Sequence, residues 1–528
     1  ADAVVQACGC AVLGHLAWTT GDDRARIVAA GGVQLALAAL RAHPAVAKVQ
    51  ACACAALGNL ACQTVGSPTH VQAEGVASVV AALETHADCV EVMDRGFGAL
   101  QSLTCECPEN REQLAAVGGI ALMTQLMQRH PALDNVQSAG SIVLARLADD
   151  GGGNCGQIAD GVDGVLRALS ALPHDAAAQE AGCLTLSRIG RMDAGERRKL
   201  IQSGGVDLAL TALRGHVASV KVQAVACEAL ETLVCDSPEA EARIVALSGI
   251  PALVKSLRAH VKAHNVQHAG WYVLECLMRH SMENRSDFRL AGGASLSRDS
   301  AGANLDDDDV QRCCCNVLCG LAGDGDQGHA DVVSAGGLGV LLAALRRHPI
   351  APEVQIAGCE ALSCVVRRRC GARTDARAAG AIEVVVAALR AHASQPAVQR
   401  SACAAVRDLA EDDALNRQCL VALGGADLAL AAVVAYPHDL ELVLRACAAL
   451  CRLGRDGRPA PIAADDGPLG GIAPHLEAFQ EEELDEDVDP MALKRKALLR
   501  GALSARSLHL PTRLAGLGAI GPLLGAMR

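Results

Sequence analysis

Aromatic side chains are almost missing from this chain: two Trp, two Tyr and three Phe make up 1% of 528 residues. So few rings argue against a surface that stacks single-stranded bases, and they exclude a core built on large flat side chains. An excess of positive charge is missing as well. The formal charge is −12, so no general basic face exists to neutralise phosphates, and nucleic acid is not expected as a partner. No apolar run reaches the roughly 18 residues that a membrane span needs. No basic segment followed by a signal-type apolar stretch is found either. Walker A and HExxH sequences do not occur.

What remains is a chain that is 51% hydrophobic, with the apolar material drawn from Ala, Val, Leu and Cys. Small apolar side chains suit closely packed helices. The 24 cysteines are spread at regular positions through apolar segments rather than clustered in a short, loop-rich framework. They read as buried, reduced thiols, which predicts a reducing compartment, cytoplasmic or nuclear.

One segment organises the rest. Val49–Gln50–Ala51–Cys52–Ala53–Cys54–Ala55–Ala56–Leu57–Gly58–Asn59–Leu60–Ala61 recurs along almost the whole chain. With the glutamine as marker, its equivalents are Gln6, Gln50, Met93, Gln137, Gln179, Gln223, Gln267, Gln311, Gln355, Gln399 and Val443. The spacings are 44, 43, 44 and 42 residues, then 44 six times, which makes eleven copies of one unit. A fixed period of this length marks a helical repeat array rather than three or four separate globular domains.

Counting from the marker, positions −1, +3, +4, +7 and +10 are apolar or small in nearly every copy and trace one face of a helix. Position +3 is always Gly, Ala or Cys, which predicts close approach by another helix. Position +4 is Cys in eight copies, from Cys10 and Cys54 to Cys403 and Cys447. One thiol per repeat cannot converge on a tetrahedral metal ion, so these read as small core residues, and neither metal nor cofactor is expected. Glycine pairs such as Gly31–Gly32, Gly118–Gly119 and Gly204–Gly205 precede each marker and read as hinges between a short and a middle helix. The middle helix tends to end at a histidine, for example His43, His130, His216, His260, His348 and His392. Their repeat spacing marks them as helix stops rather than ligands. Two GxGxxG matches, Gly151–Gly156 and Gly323–Gly328, fall in turns of a helical array and lack the preceding strand that a dinucleotide site requires.

The unit of short helix, Gly-Gly hinge, middle helix, turn and long helix resembles the armadillo repeat. The combination that carries the resemblance is Asn-Arg-x-x-(Leu/Ile), Gly-Gly-(Ile/Val), Val-Gln and Ala-Leu-x-Asn-Leu-Ala, and it covers nearly the whole chain. It implies an all-α fold, a right-handed superhelical α-solenoid with three helices per repeat. The array is expected over 1–476, starting in mid-repeat, with an irregular unit at 281–310. An acidic insertion at 477–490 and a degenerate last repeat at 491–528 follow. Within the irregular unit, Ser295–Asp309 has almost no apolar face, and an eroded helix or a mobile flap is expected there.

The resemblance further implies a non-enzymatic scaffold, expected to be monomeric, that takes an extended protein or peptide partner in a concave groove formed by the long third helices. The residues expected to line that groove are Arg146, Arg188, Glu228, Tyr272, Asn316, Glu360 and Asp408, at positions +5 and +9 of successive repeats. Importin-type members carry ladders of Trp at +5 and Asn at +9. Here only Asn59 matches, which puts a nuclear-transport cargo adaptor in doubt. The regulatory region of a longer ubiquitin ligase or kinase remains an alternative.

Overall fold

The computed structural model describes residues 2–61, 69–150, 154–367 and 370–454. Among these are thirty helices and no strand. The chain divides into two compact units, Ala1–Leu277 and Met278–Arg528.

One repeat of the first unit explains the rest. Its short helix, Ala194–Gln202, starts where Asp193 Oδ1 accepts the amides of Gly195 and Glu196 at 2.7 and 2.9 Å. It stops at Gly204, which lies in the left-handed region at φ 92°. The next residue, Gly205, is required for space: a Cβ there would sit 2.9 Å from the Leu200 carbonyl oxygen. One glycine supplies the bend and the other the close approach. The middle helix, Gly205–Gly215, follows, and then the long helix Val220–Val234. Short and middle helices meet at 66° in the pairs Gly21–Ala29 with Gly32–Ala42, Gly325–Ser334 with Gly337–Arg347, and Ala414–Ala422 with Gly425–Ala435. Where Glu74 takes the place of the first glycine, a single helix runs from Thr69 to Thr85. The missing glycine is not the whole cause, since Ser248 at the equivalent position takes the left-handed turn at φ 54° and keeps the break.

The marker glutamine has a mechanical role. Gln223 is buried, and its Nε2 donates to the Leu213 and His216 carbonyls at 3.0 and 3.1 Å. Both acceptors lie at the end of the middle helix; the His216 carbonyl also takes the Ser219 amide at 3.0 Å, so the glutamine joins the last turn to the bend after it. Gln50, Gln137, Gln179, Gln267, Gln311, Gln355 and Gln399 make the same two bonds to their own middle helices.

The histidines do end the middle helices, and they also tie neighbouring repeats together. In the first unit, Nε2 of His86, His130, His216 and His260 reaches the carbonyls of Pro44, Ala87, Pro173 and Val217 at 2.6–3.0 Å. In the second, His348 and His392 reach Leu305 and Pro349, both at 2.8 Å. Since a carbonyl can only accept, each Nε2 carries the proton.

The small residue at +3 is explained by the middle helix of the same repeat. A Cβ on Gly96, Gly182, Gly270 or Gly358 would lie 2.3–2.8 Å from a Leu side chain of that helix. The eight cysteines at +4 are all buried, and burial pushes the thiols of Cys54, Cys227, Cys315, Cys359, Cys403 and Cys447 up to about 12. They pack as neutral, unreactive groups.

The irregular unit corrects the sequence reading. Gly293–Ala303 is an eleven-residue helix, neither eroded nor a flap. Ala294, Leu296, Ser297, Ser300 and Ala301 are buried. Ser297 Oγ donates to the Gly293 carbonyl at 3.0 Å, so its polarity is absorbed by its own helix. Phe288 of the preceding short helix packs against Gly293 and supplies the bulk that the middle helix lacks.

The second GxGxxG match lies at the join of helices Asp308–Gly323 and Gly325–Ser334, with no strand before it among the described residues. The first includes Gly151–Gly153 and is partly outside the described residues. The acidic run Glu481–Asp489, the triplet Lys494–Arg495–Lys496 and the degenerate last repeat also lie outside them. No single described helix is long and apolar enough to cross a membrane.

Candidate functional site

In the first unit the long helices stack in order: Ala3–Thr19, Ala47–Ala61, Val90–Leu103, Asp134–Asp149, Ala176–Gly190, Val220–Val234. Three of the expected groove residues, Arg146, Arg188 and Glu228, lie on these helices, and Tyr272 lies on His264–Arg279. Arg188 sits between two carboxylates. Its Nε donates to Asp149 Oδ1 at 2.8 Å, and its Nη1 to Glu228 Oε1 at 2.9 Å. Glu228 also takes Arg191 at 2.8 Å and the Ser187 hydroxyl at 3.0 Å. Partial burial opposes the charge on Arg188, but Asp149 and Glu228 outweigh it, and the guanidinium is held charged more firmly than usual. The result is a chain of alternating charge, Asp149, Arg188, Glu228, Arg191, with the outer two about half exposed (54% each).

Arg146 is committed elsewhere. Its Nη1 donates at 2.5 Å to the carbonyl of Gln101, in the last turn of helix Val90–Leu103, where a cation suits the helix end. Tyr272 is half-buried; that burial and the thiols of Cys276 and Cys235 push its phenol up, so it offers a neutral hydroxyl.

In the second unit, helices Asp308–Gly323, Pro352–Arg367, Pro396–Ala410 and Leu440–Leu453 stack in order. Asn316 and Glu360 are partly buried on them. Glu360 Oε1 accepts the Ser401 hydroxyl at 3.0 Å and lies 3.8 Å from Arg445. Asp408 departs from expectation. The sequence places it on the open face, yet its side chain is only 6% exposed. It accepts the Ser363 hydroxyl, Arg367 Nε at 3.1 Å, and Arg407 Nε and Nη2 at 2.7 and 2.9 Å. Burial works against its charge, but the bonds from Arg407 and Ser363 win and hold the carboxyl below its ordinary value. Asp408 is therefore the anchor of two arginines, and those arginines are what the surface presents.

The structure thus brings Arg188 and Glu228 into direct contact and leaves Arg146 capping a helix. Asp149, Arg191, Ser363, Arg367 and Arg407 belong to the same clusters and were missed. They occupy positions +8 and +12, off the +5 and +9 rows that sequence reasoning followed. One rule would have found Ser363: position +9 of a repeat touches +8 of the repeat before. Asn59 donates to the Gly14 carbonyl at 2.9 Å, Arg146 to that of Gln101, and Asp408 accepts from Ser363. Among the described residues no group of three or more His, Cys, Asp or Glu side chains could hold a metal ion.

The model of the LRRK2 ARM repeat matches residues 32–369, more than half of the chain. No curated protein matches. Among solved structures, one from work on the phosphorylation switch controlling the interaction between cadherin and beta-catenin superposes with a TM-score of 0.67. It is 18% identical, over 91% of this chain and 96% of that one. The crystal structure of an engineered protein superposes with a TM-score of 0.57 at 24% identity, over 77% and 96%. At these identities the superpositions speak for the fold, a helical repeat solenoid. Together with the three-helix unit, the Gly-Gly bend and the buried Val-Gln marker, the matched model establishes that the chain belongs to the armadillo-repeat family.

Proposed function

We propose that this chain is a non-catalytic interaction scaffold that takes an extended segment of a partner protein along the open face of its long helices. The observation that carries the reading is the alternating row Asp149, Arg188, Glu228, Arg191. It is ordered by its own ion pairs and half-open to water, so it offers both signs of charge at fixed spacing with little rearrangement on binding. A repeat array presents such rows over a long surface. The beta-catenin structure belongs to a protein that interacts with cadherin, and protein partners are the kind expected here. The many free thiols support a reducing compartment, cytoplasmic or nuclear.

The test is partner capture with neutralising variants. Arg191→Ser and Asp149→Asn should each weaken retention of a specific partner severalfold and flatten its loss with salt, at unchanged melting temperature. Retention indifferent to both variants would remove this row as the working surface. Exchanging the signs of Arg188 and Glu228 is a poor test, because it would set like charges against Asp149 and Arg191.

A further inference from the structure

The contact between position +9 and the preceding +8 brings together two reactive groups at one place in the second unit. Cys319, on helix Asp308–Gly323, and Cys364, on helix Pro352–Arg367, lie with their sulfur atoms 3.2 Å apart. Both are only partly buried, unlike the sealed cysteines at +4. Four other groups act on the pair. Cys315 and Glu360 act on Cys319, while Arg367, Asp408 and Glu360 act on Cys364.

We propose that Cys319 and Cys364 are a hydroperoxide-sensitive dithiol that closes to a reversible disulfide joining two neighbouring long helices. The hydrogen bond from Cys319, with help from the Arg367 guanidinium, lowers Cys364 to about 7, while Cys319 is pushed far up. One thiolate is therefore shared in a hydrogen bond, and Cys364 is the sulfur that carries it. A third ligand that would make this a zinc site is absent among the described residues.

The chemistry balances with a hydroperoxide as oxidant. The Cys364 thiolate attacks one peroxide oxygen and the O–O bond breaks. With hydrogen peroxide the leaving hydroxide takes up a proton as water, and Cys364 becomes a sulfenic acid. Cys319 then attacks the Cys364 sulfur, the S–S bond forms and the S–O bond breaks. The thiol proton of Cys319 leaves with that hydroxyl as a second water. Two thiols and one hydrogen peroxide thus give one disulfide and two waters. Moving from the ordinary thiol value to about 7 raises the thiolate fraction at neutral pH, while the intrinsic nucleophilicity falls.

The test uses the full chain, one equivalent of hydrogen peroxide and peptide mapping without reduction. A peptide cross-linked through Cys319 and Cys364 should form several times faster than the exposed Cys8 and Cys105 are oxidised, and a dithiol reductant should reverse it. Cys319→Ser should stop at the sulfenic acid, labelled by dimedone at Cys364. Cys364→Ser should lose both label and cross-link, and Arg367→Gln should slow the reaction. The map of the unaltered chain needs no variant to fold. No cross-link there, or oxidation of the pair no faster than at Cys8 and Cys105, would overturn the proposal.

Discussion

Arg188 in the first unit and Asp408 in the second hold the same place in their repeats, nine residues after the marker glutamine, and meet opposite fates. Arg188 stays half-open, bridged by Asp149 and Glu228. Asp408 is buried beneath Arg367 and Arg407. The difference follows from length. A guanidinium on a long stem reaches outward to find carboxylates, whereas a short carboxylate must be approached, and long arginines close over it. A repeat position therefore fixes where a side chain starts, and its reach decides which group meets the partner.

The largest test of this contrast is Asp408→Asn. It leaves two arginines facing each other across a buried amide and should cost about 3 kcal/mol in denaturant unfolding, the low end for a broken buried pair because Arg367 stays largely in water. A loss within error would mean that the arginines are independent of Asp408. The same pair can be titrated. The folded value of Asp408 lies below its ordinary one, so its contribution is full above about pH 4 and is lost as pH falls through the folded value. The gap between wild type and Asp408→Asn should close on acidification, and a gap that widened would reverse the assignment.

Gln223→Leu probes what the two regions have in common. The buried Leu213 carbonyl loses its donor while that of His216 keeps the Ser219 amide, so a cost of about 2 kcal/mol is expected by thermal or denaturant melting. A neutral outcome would reduce the glutamine to a packing residue. Smallest of all should be Arg188→Gln. Glu228 keeps Arg191 and Ser187, and the loss should stay under about 1 kcal/mol and shrink further with salt. A loss as large as that for Asp408→Asn would erase the contrast.

The period, the three-helix unit and the family were legible in the sequence because they rest on spacing and on apolar periodicity. The close approach at +3 was legible as well, since glycine within a helix has few other reasons to recur. Other features were not, for identifiable reasons. The helix Gly293–Ala303 was hidden because its buried face is mostly small, Ala294, Ser297, Ser300 and Ala301, and because the Ser297 hydroxyl is taken up by a bond to its own helix that a hydropathy pattern does not register. The unbroken helix Thr69–Thr85 was hidden too: Glu74 stands where other repeats carry the first glycine, yet Ser248 at the same place keeps the bend, so residue type there does not decide it. The site was less legible than the fold: reading +9 down the repeats gave a row, while the contacts run diagonally from +9 of one repeat to +8 of the one before. That diagonal holds the cysteine pair and the Ser363–Asp408 bond.

The bonds from each histidine ring to the turn before it span 42 or 43 residues, nearly one repeat. A bond of that reach closes on the next copy of the same pattern. Duplicating one period between two such histidines, as from His216 to His260 or from His348 to His392, would therefore recreate the bond at its seam, and excising one would heal in the same way. Cutting by half a period would leave rings facing helix sides. The gene can thus gain or shed whole periods with little structural penalty, and the histidine acts as a ruler that permits changes in length only in steps of one repeat.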